Sequence, residues 1–165
     1  MGILEKMRLD GKVSFVTGGA RGIGKAIAQA LAEAGSDLAL VDIDMEEAAK
    51  TADEIEKNTG VKAIAIQADV TKPEEVDAMI RRIMEEFGHL DAAFCNAGIC
   101  MNIPAEEMTY EQWKKVLDIN LTGVFLTSQA AAKVMLKQGK GSIINTASMS
   151  AHIVNVPQPQ CSYNA

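Results

Sequence analysis

The sequence lacks any apolar run approaching the roughly 18 residues that a membrane-spanning helix needs. Its charged N-terminal segment, MGILEKMRLD, is unlike a signal peptide, so it does not predict export. Cys95, Cys100 and Cys161 are odd in number and form no CxxC pair, which favours free thiols over a metal or disulfide site. A formal net charge of −6 with interspersed signs argues against nucleic acid as the main partner. We therefore expect a cytoplasmic protein without a membrane or nucleic-acid partner.

What the sequence does contain is an alternation of short apolar runs with longer segments of helical period. Its 165 residues, 48% of them hydrophobic and 23% charged, are typical of one globular domain. Five runs are predicted as strands: 12–18, 37–42, 61–69, 90–96 and 141–148. Because they are apolar nearly throughout, they favour a parallel sheet covered on both faces. The predicted fold is α/β, a doubly wound parallel sheet of right-handed βαβ units.

Helix boundaries are indicated by caps. Three residues have an acid or amide three positions later, the spacing of a capping box: Asp44 with Glu47, Thr71 with Glu74, and Thr109 with Gln112. Pro73 lies near the start of the second of these helices, and Gly88 follows its last apolar position. Residues 111–138 are predicted to be mostly helical, as one helix or two in succession.

The first strand-to-helix turn, TGGARGIG, predicts a phosphate-binding site. Gly18 permits a tight turn, Gly22 permits backbone to approach a pyrophosphate, and Gly24 permits close packing of helix on strand. The helix N-terminus adds partial positive charge. Asp42 ends the next strand, 18 residues after Gly24, where a carboxylate accepts hydrogen bonds from a ribose diol. Together these features predict dinucleotide binding.

With these motifs the sequence resembles the short-chain dehydrogenase/reductase family over essentially its whole length. The matching segments are the TGxxxGxG turn at 17–24, Asp69-Val70, Asn96-Ala97-Gly98, Asn120, Ser148 and Tyr163. One departure is Cys95, where the family usually has asparagine. The resemblance implies a Rossmann fold and a cofactor site formed by residues of these motifs: Gly18, Arg21, Gly22, Ile23, Gly24, Asp42, Asp69, Val70, Asn96, Ala97 and Gly98.

The resemblance also implies that the chain lacks part of a complete enzyme. The family's catalytic motif is Tyr-x-x-x-Lys, and its lysine falls two positions beyond Ala165. We therefore expect residues 1–165 to form a single dinucleotide-binding domain, truncated after the fifth strand, without the part that completes the sheet and the substrate pocket. By the same resemblance, the full-length protein is expected to be a homo-oligomer, a tetramer or dimer.

The implied chemistry is hydride transfer between a nicotinamide and a carbonyl or carbinol carbon. Tyr163 is expected to transfer the proton, Ser148 to hydrogen-bond the reacting oxygen, and Asn120 to hold water in a relay to the lysine. A phenol is a poor base at neutral pH, so a nearby cation is needed to stabilise the phenolate. Counting back from the tyrosine selects Ser150 as the catalytic serine, whereas alignment from the strand selects Ser148, which we favour because loops absorb insertions.

Cofactor and substrate remain more open. Arg21 suits the 2′-phosphate of NADP, but Asp42 would repel that phosphate, so NAD is favoured and NADP stays possible. The segment 146–165 resembles that of family members acting on sugars and polyols. It supplies polar groups near the tyrosine: Ser150, His152, Asn155, Gln158 and Gln160. The alternatives are an NADPH-dependent 3-oxoacyl thioester reductase and, in another class, a non-catalytic nucleotide-binding protein.

Overall fold

The structure is a computed structural model, and it describes residues 2–153 and 156–165. The strands are β1 Val13–Thr17, β2 Asp37–Asp42, β3 Ala63–Gln67, β4 Ala92–Cys95 and β5 Ser142–Asn145. The α-helices are α1 Ile3–Lys6, α2 Gly22–Glu33, α3 Met45–Thr59, α4 Pro73–Phe87, α5 Tyr110–Leu117, α6 Val124–Gln138 and α7 Cys161–Asn164. A π-helical segment spans Asp118–Gly123, and a 3₁₀ turn spans Met149–Ala151. The five predicted strands are confirmed, each within its predicted range.

The five strands form one parallel sheet in the order β3-β2-β1-β4-β5. The chain moves outward from β1 through β2 to β3 and then returns to the other side of β1 as β4. The direction of the connections therefore reverses between β1 and β4. In open α/β sheets the crevice at the carboxyl ends of such strands is where ligands bind. The doubly wound parallel fold predicted from the sequence is confirmed.

Two apolar clusters cover the faces of the sheet. Side chains of α4 and α6 pack with β1, β2 and β4 on one face, around Phe15 and Ile83. Side chains of α2 and α3 pack on the other face, around Leu38, Leu40 and Ile55. Burial on both faces explains why β1 and β2 are apolar nearly throughout. Within residues 2–153 and 156–165, no helix is both long and apolar enough to cross a membrane.

The helix caps follow the sequence with one exception. Asp44 caps α3 by accepting from the Glu47 N–H, and Thr109 forms a reciprocal capping box with Gln112, so both predictions are confirmed. The predicted cap at Thr71 is wrong, because α4 begins after Lys72. The Thr71 hydroxyl donates instead to the Asp69 carboxylate at 2.7 Å, a partner two residues earlier in the chain.

Residues 110–138 form one continuous helical path in which the π-helical segment separates α5 from α6. Gly123 lies at the end of that segment, where an added Cβ would stand 2.7 Å from Val70 Cγ2. The close approach brings this helical path against the segment that follows β3. A π-helical segment inside an α-helix is frequent at functional sites, and this one carries Asn120.

Candidate active site

The glycine-rich turn joins β1 to α2 at the point where the sheet connections reverse. A Cβ on Gly24 would lie 2.0 Å from the Gly18 carbonyl oxygen, so only glycine permits this packing of helix on strand. Gly22 has φ of +58°, and a Cβ there would meet no described atom within 4 Å. The turn is therefore closed on its strand side and open on the outer side, as a backbone cradle for a phosphate requires.

Helix α2 begins immediately after Arg21, which does not cap it with its side chain in the described chain. The first-turn N–H groups therefore receive no hydrogen bond from the Arg21 side chain, and Ile23 in the same turn is exposed. The Arg21 guanidinium, 69% exposed, pairs with Asp44 Oδ2 at 2.9 Å. That ion pair holds the only cation of the turn next to the end of β2.

Asp42 stands beside this turn because β2 is the parallel neighbour of β1. Its Oδ2 accepts from the Ala20 N–H at 3.1 Å, and its Oδ1 accepts from the Asp44 N–H at 3.2 Å. Two backbone donors thus fix the half-buried carboxylate against the glycine turn. A carboxylate retains further lone pairs after accepting two hydrogen bonds, and these are what a ribose diol would use.

Asp69 and Val70 follow β3 at the next position along the same edge. Partial burial of the Asp69 carboxyl raises its pKa, but hydrogen bonds from Thr71 and the charge of Lys72 outweigh this and leave the pKa lowered. The Asp69 N–H donates to Glu75 Oε2 at 2.7 Å, which ties this segment to the first turn of α4. Val70 is buried against the π-helical segment.

Asn96 joins the ends of three strands. Its backbone N–H and that of Ala97 both donate to Thr17 Oγ1, at 2.9 and 3.0 Å. Its side-chain Nδ2 donates to the Thr17 carbonyl at 3.1 Å, and its Oδ1 accepts from the Thr146 hydroxyl at 3.1 Å. The glycine turn, the segment from Asn96 to Gly98 and the end of β5 are therefore held together.

Thr17 and Thr146 are site residues that the sequence reasoning did not single out. Thr17 ends β1, and Thr146 directly follows β5. Threonine is common in strands because its side chain packs well there, so neither position by itself indicates a functional role. Their partner, Asn96, lies 79 positions from Thr17 and 50 from Thr146 in the chain. The only available signal was Thr17 as the first letter of the TGxxxGxG turn.

Asn120 is fixed against the loop that follows β4. Its Oδ1 accepts from the Ile99 N–H at 2.9 Å, and its Nδ2 donates to the Ile99 carbonyl at 2.8 Å. This pair of bonds makes Asn120 a support for the loop, a contact that the sequence reasoning did not include. A carboxamide has a second N–H and a second lone pair, so Asn120 keeps one donor and one acceptor for the predicted water.

Ser150 lies in the 3₁₀ turn and Tyr163 in α7, two segments that pack against each other, and Ser148 directly precedes the 3₁₀ turn. Ser148 is half-buried, and its Oγ accepts from the Ser150 N–H at 3.2 Å. Ser150 is only 6% exposed. Tyr163, half-buried, is in the first turn of α7. The accessible serine is therefore Ser148.

The remaining polar side chains predicted near the substrate belong to the segment from His152 to Gln160. His152 and Gln158 are exposed, and Gln160 precedes α7. Asn155 lies outside the described residues.

Cys95, the departure from the family motif, is buried beside Ser128 Oγ at 3.4 Å, and burial raises the pKa of its thiol. That environment favours an unreactive, protonated thiol.

An open parallel sheet with a glycine-rich turn at the start of a helix and an acid at the end of the second strand is an arrangement that suits a dinucleotide. The residues present fit such a group, because the cradle is open outward and Asp42 is fixed beside it. The family model described as short chain dehydrogenase matches residues 12–165. The chain belongs to this family of nicotinamide-dependent oxidoreductases.

Similar proteins support the assignment at the level of sequence and structure. The chain is 39% identical to a probable NADP-dependent mannitol dehydrogenase of Yarrowia lipolytica, covering 99% of this chain and 59% of that protein. It is 39% identical to a sorbose reductase of Candida albicans, covering 99% and 58%. It is 42% identical to a 3-oxoacyl-[acyl-carrier-protein] reductase of Synechocystis, covering 91% and 61%.

A crystal structure of a short-chain type dehydrogenase/reductase from Mycobacterium marinum superposes with a TM-score of 0.96 at 44% identity. That comparison covers 99% of this chain and 66% of the other. The chain thus spans about three fifths of the length of the curated relatives described above.

Proposed function

We propose that the complete gene product interconverts a secondary alcohol and a carbonyl compound with a nicotinamide cofactor. The observation that carries this is the set of hydrogen bonds around Asn96. Through Thr17 and Thr146 they hold the dinucleotide cradle and the strand leading to Ser148 at one edge of the sheet. A cofactor in the cradle would share that edge with the proton-transfer residues.

The roles that we propose follow from the chemistry of the side chains. The bound nicotinamide supplies or accepts the hydride. Tyr163 gives a proton to the carbonyl oxygen in reduction and takes it back in oxidation, while the Ser148 hydroxyl hydrogen-bonds the same oxygen. Asn120 orients the loop at Ile99 and has one N–H left for a water. A cation near the phenol stabilises its phenolate, and the family resemblance puts that lysine four positions after Tyr163.

We propose Ser148 rather than Ser150 as the catalytic serine. A hydroxyl that contacts substrate must be reachable from the cleft, and Ser150 is nearly buried. Ser148 precedes the 3₁₀ turn, and its Oγ already accepts the Ser150 N–H. With an acceptor lone pair used in this way, its hydroxyl hydrogen is available to a substrate oxygen.

For the cofactor we propose NAD in preference to NADP. The Asp42 carboxylate is fixed beside the cradle by two backbone N–H groups, where it favours a ribose diol and repels a 2′-phosphate. Arg21, the residue able to offset that repulsion, is paired with Asp44. The mannitol dehydrogenase relative is named as NADP-dependent, so parallel titrations with NADH and NADPH are the test of this preference.

For the substrate we propose a sugar, sugar acid or polyol. Two relatives are named for a polyol and a ketose, and polar residues are frequent in the segment that precedes Tyr163 in the sequence. The second candidate, a 3-oxoacyl thioester, is favoured by the Synechocystis relative. The test is a panel of ketoses, alditols, acetoacetyl thioesters and hydrophobic ketones on the complete gene product. Efficiency about tenfold higher on a thioester than on every sugar would reject the sugar proposal, and cofactor binding without turnover on any compound would favour a non-catalytic protein.

We also propose that residues 1–165 act as a single dinucleotide-binding domain of a cytoplasmic homo-oligomer, a dimer or tetramer. Leu121 and Phe125 are 66% and 58% exposed in the helical path that carries Asn120. Apolar side chains so exposed on neighbouring turns are typical of a surface that is buried on association. Light scattering of the purified gene product measures the oligomer directly, and a monomer at micromolar concentration would contradict the proposal.

A further inference from the structure

Helix α7 begins against the loop that follows β4, and contacts of several kinds join the two segments. Ile103 N–H donates to the Pro159 carbonyl at 2.8 Å, and Ile103 forms an isolated parallel bridge with Gln160. Gln160 Nε2 donates to Asn102 Oδ1 at 3.0 Å, and the Cys161 thiol lies 3.7 Å from Met108 Sδ. We call these contacts the α7 clamp. They join residues 102–108 to residues 159–161, more than fifty positions later in the chain.

The clamp acts on the residues that support Tyr163. The N–H groups of Tyr163 and Asn164 both donate to the Gln160 carbonyl at 3.0 Å. Gln160 is therefore the residue on which the first turn of α7 is built. The Gln160 side chain does not cap that turn within the described residues, because it is directed to Asn102 instead. First turns without a capping side chain fray readily, so docking must hold this one in place.

Packing restrains α7 together with the clamp, because α7 contacts α5 and the 3₁₀ turn. A cleft of about 480 Å³ opens beside Cys161 and is lined by residues of the loop and of α5, including Tyr110 and Trp113. Of the clamp contacts, the bridge at Ile103 uses backbone, whereas the Asn102 amide is a side chain that can be removed without altering the helix itself.

We propose that Asn102 is a positioning residue for Tyr163, acting through its hydrogen bond to Gln160. This proposal rests on the proposed function, in which Tyr163 transfers the proton. By fixing the Gln160 side chain, Asn102 holds the first turn of α7, and with it the phenol, at the distance that proton transfer requires. A misplacement of about 1 Å at a reacting group costs up to about 100-fold in rate.

The test compares four variants of the complete gene product on the panel compound that is turned over best. Asn102→Ala removes the acceptor, whereas Asn102→Asp keeps an oxygen for Gln160 Nε2. Asn58→Ala is the matched control, an exposed amide in α3 remote from the clamp. Tyr163→Phe reports on the proposed function itself. For each variant, kcat is divided by the number of cofactor sites titrated with the reduced cofactor.

We expect Asn102→Ala to lower kcat per cofactor site by about tenfold with cofactor affinity unchanged. Asn102→Asp should recover the wild-type value to within about twofold, and Asn58→Ala should match it. A merely structural role would reduce the number of sites and leave kcat per site unchanged, which would overturn the proposal. Equal losses in the Ala and Asp variants would also overturn it, since the lost bond would then not be the cause.

If Asn102→Ala gives no folded protein, Asn102→Ser serves instead, because its hydroxyl is too short to reach Gln160 Nε2. The two levels of inference fail differently. Full activity in Tyr163→Phe would remove the proposed function, and the positioning role with it. An inactive Tyr163→Phe beside a fully active Asn102→Ala would leave the proposed function intact and refute the role of Asn102 alone.

Discussion

Replacing Thr17 by valine removes one hydroxyl and leaves the shape of the side chain nearly unchanged. That hydroxyl accepts the N–H groups of Asn96 and Ala97 at 2.9 and 3.0 Å, and Thr17 is only 1% exposed. Water cannot easily replace it there. Two donors in a partly buried place would lose their acceptor, each at a cost of about 1–2 kcal/mol. We expect Thr17→Val to lower the free energy of unfolding by about 2–4 kcal/mol.

Thr17→Ser is the matched control, because it keeps the acceptor oxygen and loses only a methyl group, worth about 0.8 kcal/mol. Urea unfolding of the complete gene product, followed by the fluorescence of Trp113, measures both variants. Cofactor titration should show weaker binding in Thr17→Val alone, since the two bonds hold the glycine turn against the Asn96 segment. A valine variant as stable as the serine variant would refute this reasoning, because it would show that the two N–H groups find other partners at no cost.

Further substitutions test the candidate site and the stability of the fold. Asp42→Ser should shift the ratio of catalytic efficiencies toward NADP by at least about tenfold, or ~1.4 kcal/mol, and an unchanged ratio would show that Asp42 does not reach the ribose. Tyr163→Phe should abolish most turnover while cofactor affinity stays nearly intact. Ser148→Ala should lower kcat more than Ser150→Ala does, and the reverse order would favour the alignment that counts back from the tyrosine. The pKa of the Asp91 carboxyl is lowered: burial raises it, but the Val13 N–H and the charges of two nearby lysines outweigh burial. A carboxyl whose pKa is lower in the folded state stabilises that state at pH values above its unfolded pKa. This stabilisation should be lost as pH falls below about 4. Asp91→Asn should therefore flatten that part of the profile of unfolding temperature against pH.

Much of the fold follows from local sequence patterns. Strands β1 and β2 are buried on both faces, so their sequences are apolar nearly throughout and are recognisable without tertiary information. The caps at Asp44 and Thr109 act on N–H groups three residues away, which is why spacing alone predicts them. At Thr71 the same spacing misleads, because α4 begins one residue later than the spacing predicts, after Lys72, and the Thr71 hydroxyl donates to the Asp69 carboxylate.

The glycine turn is likewise determined locally. Glycine is required at position 24 because the carbonyl oxygen of Gly18 occupies the space that a side chain would need. Both residues belong to one eight-residue segment, so the motif carries its own geometry. For this reason the glycine turn, and with it the family, can be predicted from the sequence by itself.

Only the tertiary structure decides which polar groups support that cradle and the proposed catalytic residues. Asn96 bonds to Thr17 and Thr146, Asn120 bonds to the backbone of Ile99, and Asn102 bonds to Gln160. These partners are 21 to 79 positions apart in the chain. Asparagine and threonine form hydrogen bonds with many groups, so their identity does not specify a partner. The partner is chosen only when the fold brings distant segments together, as when the parallel strands β1, β4 and β5 bring their carboxyl ends to the same edge of the sheet.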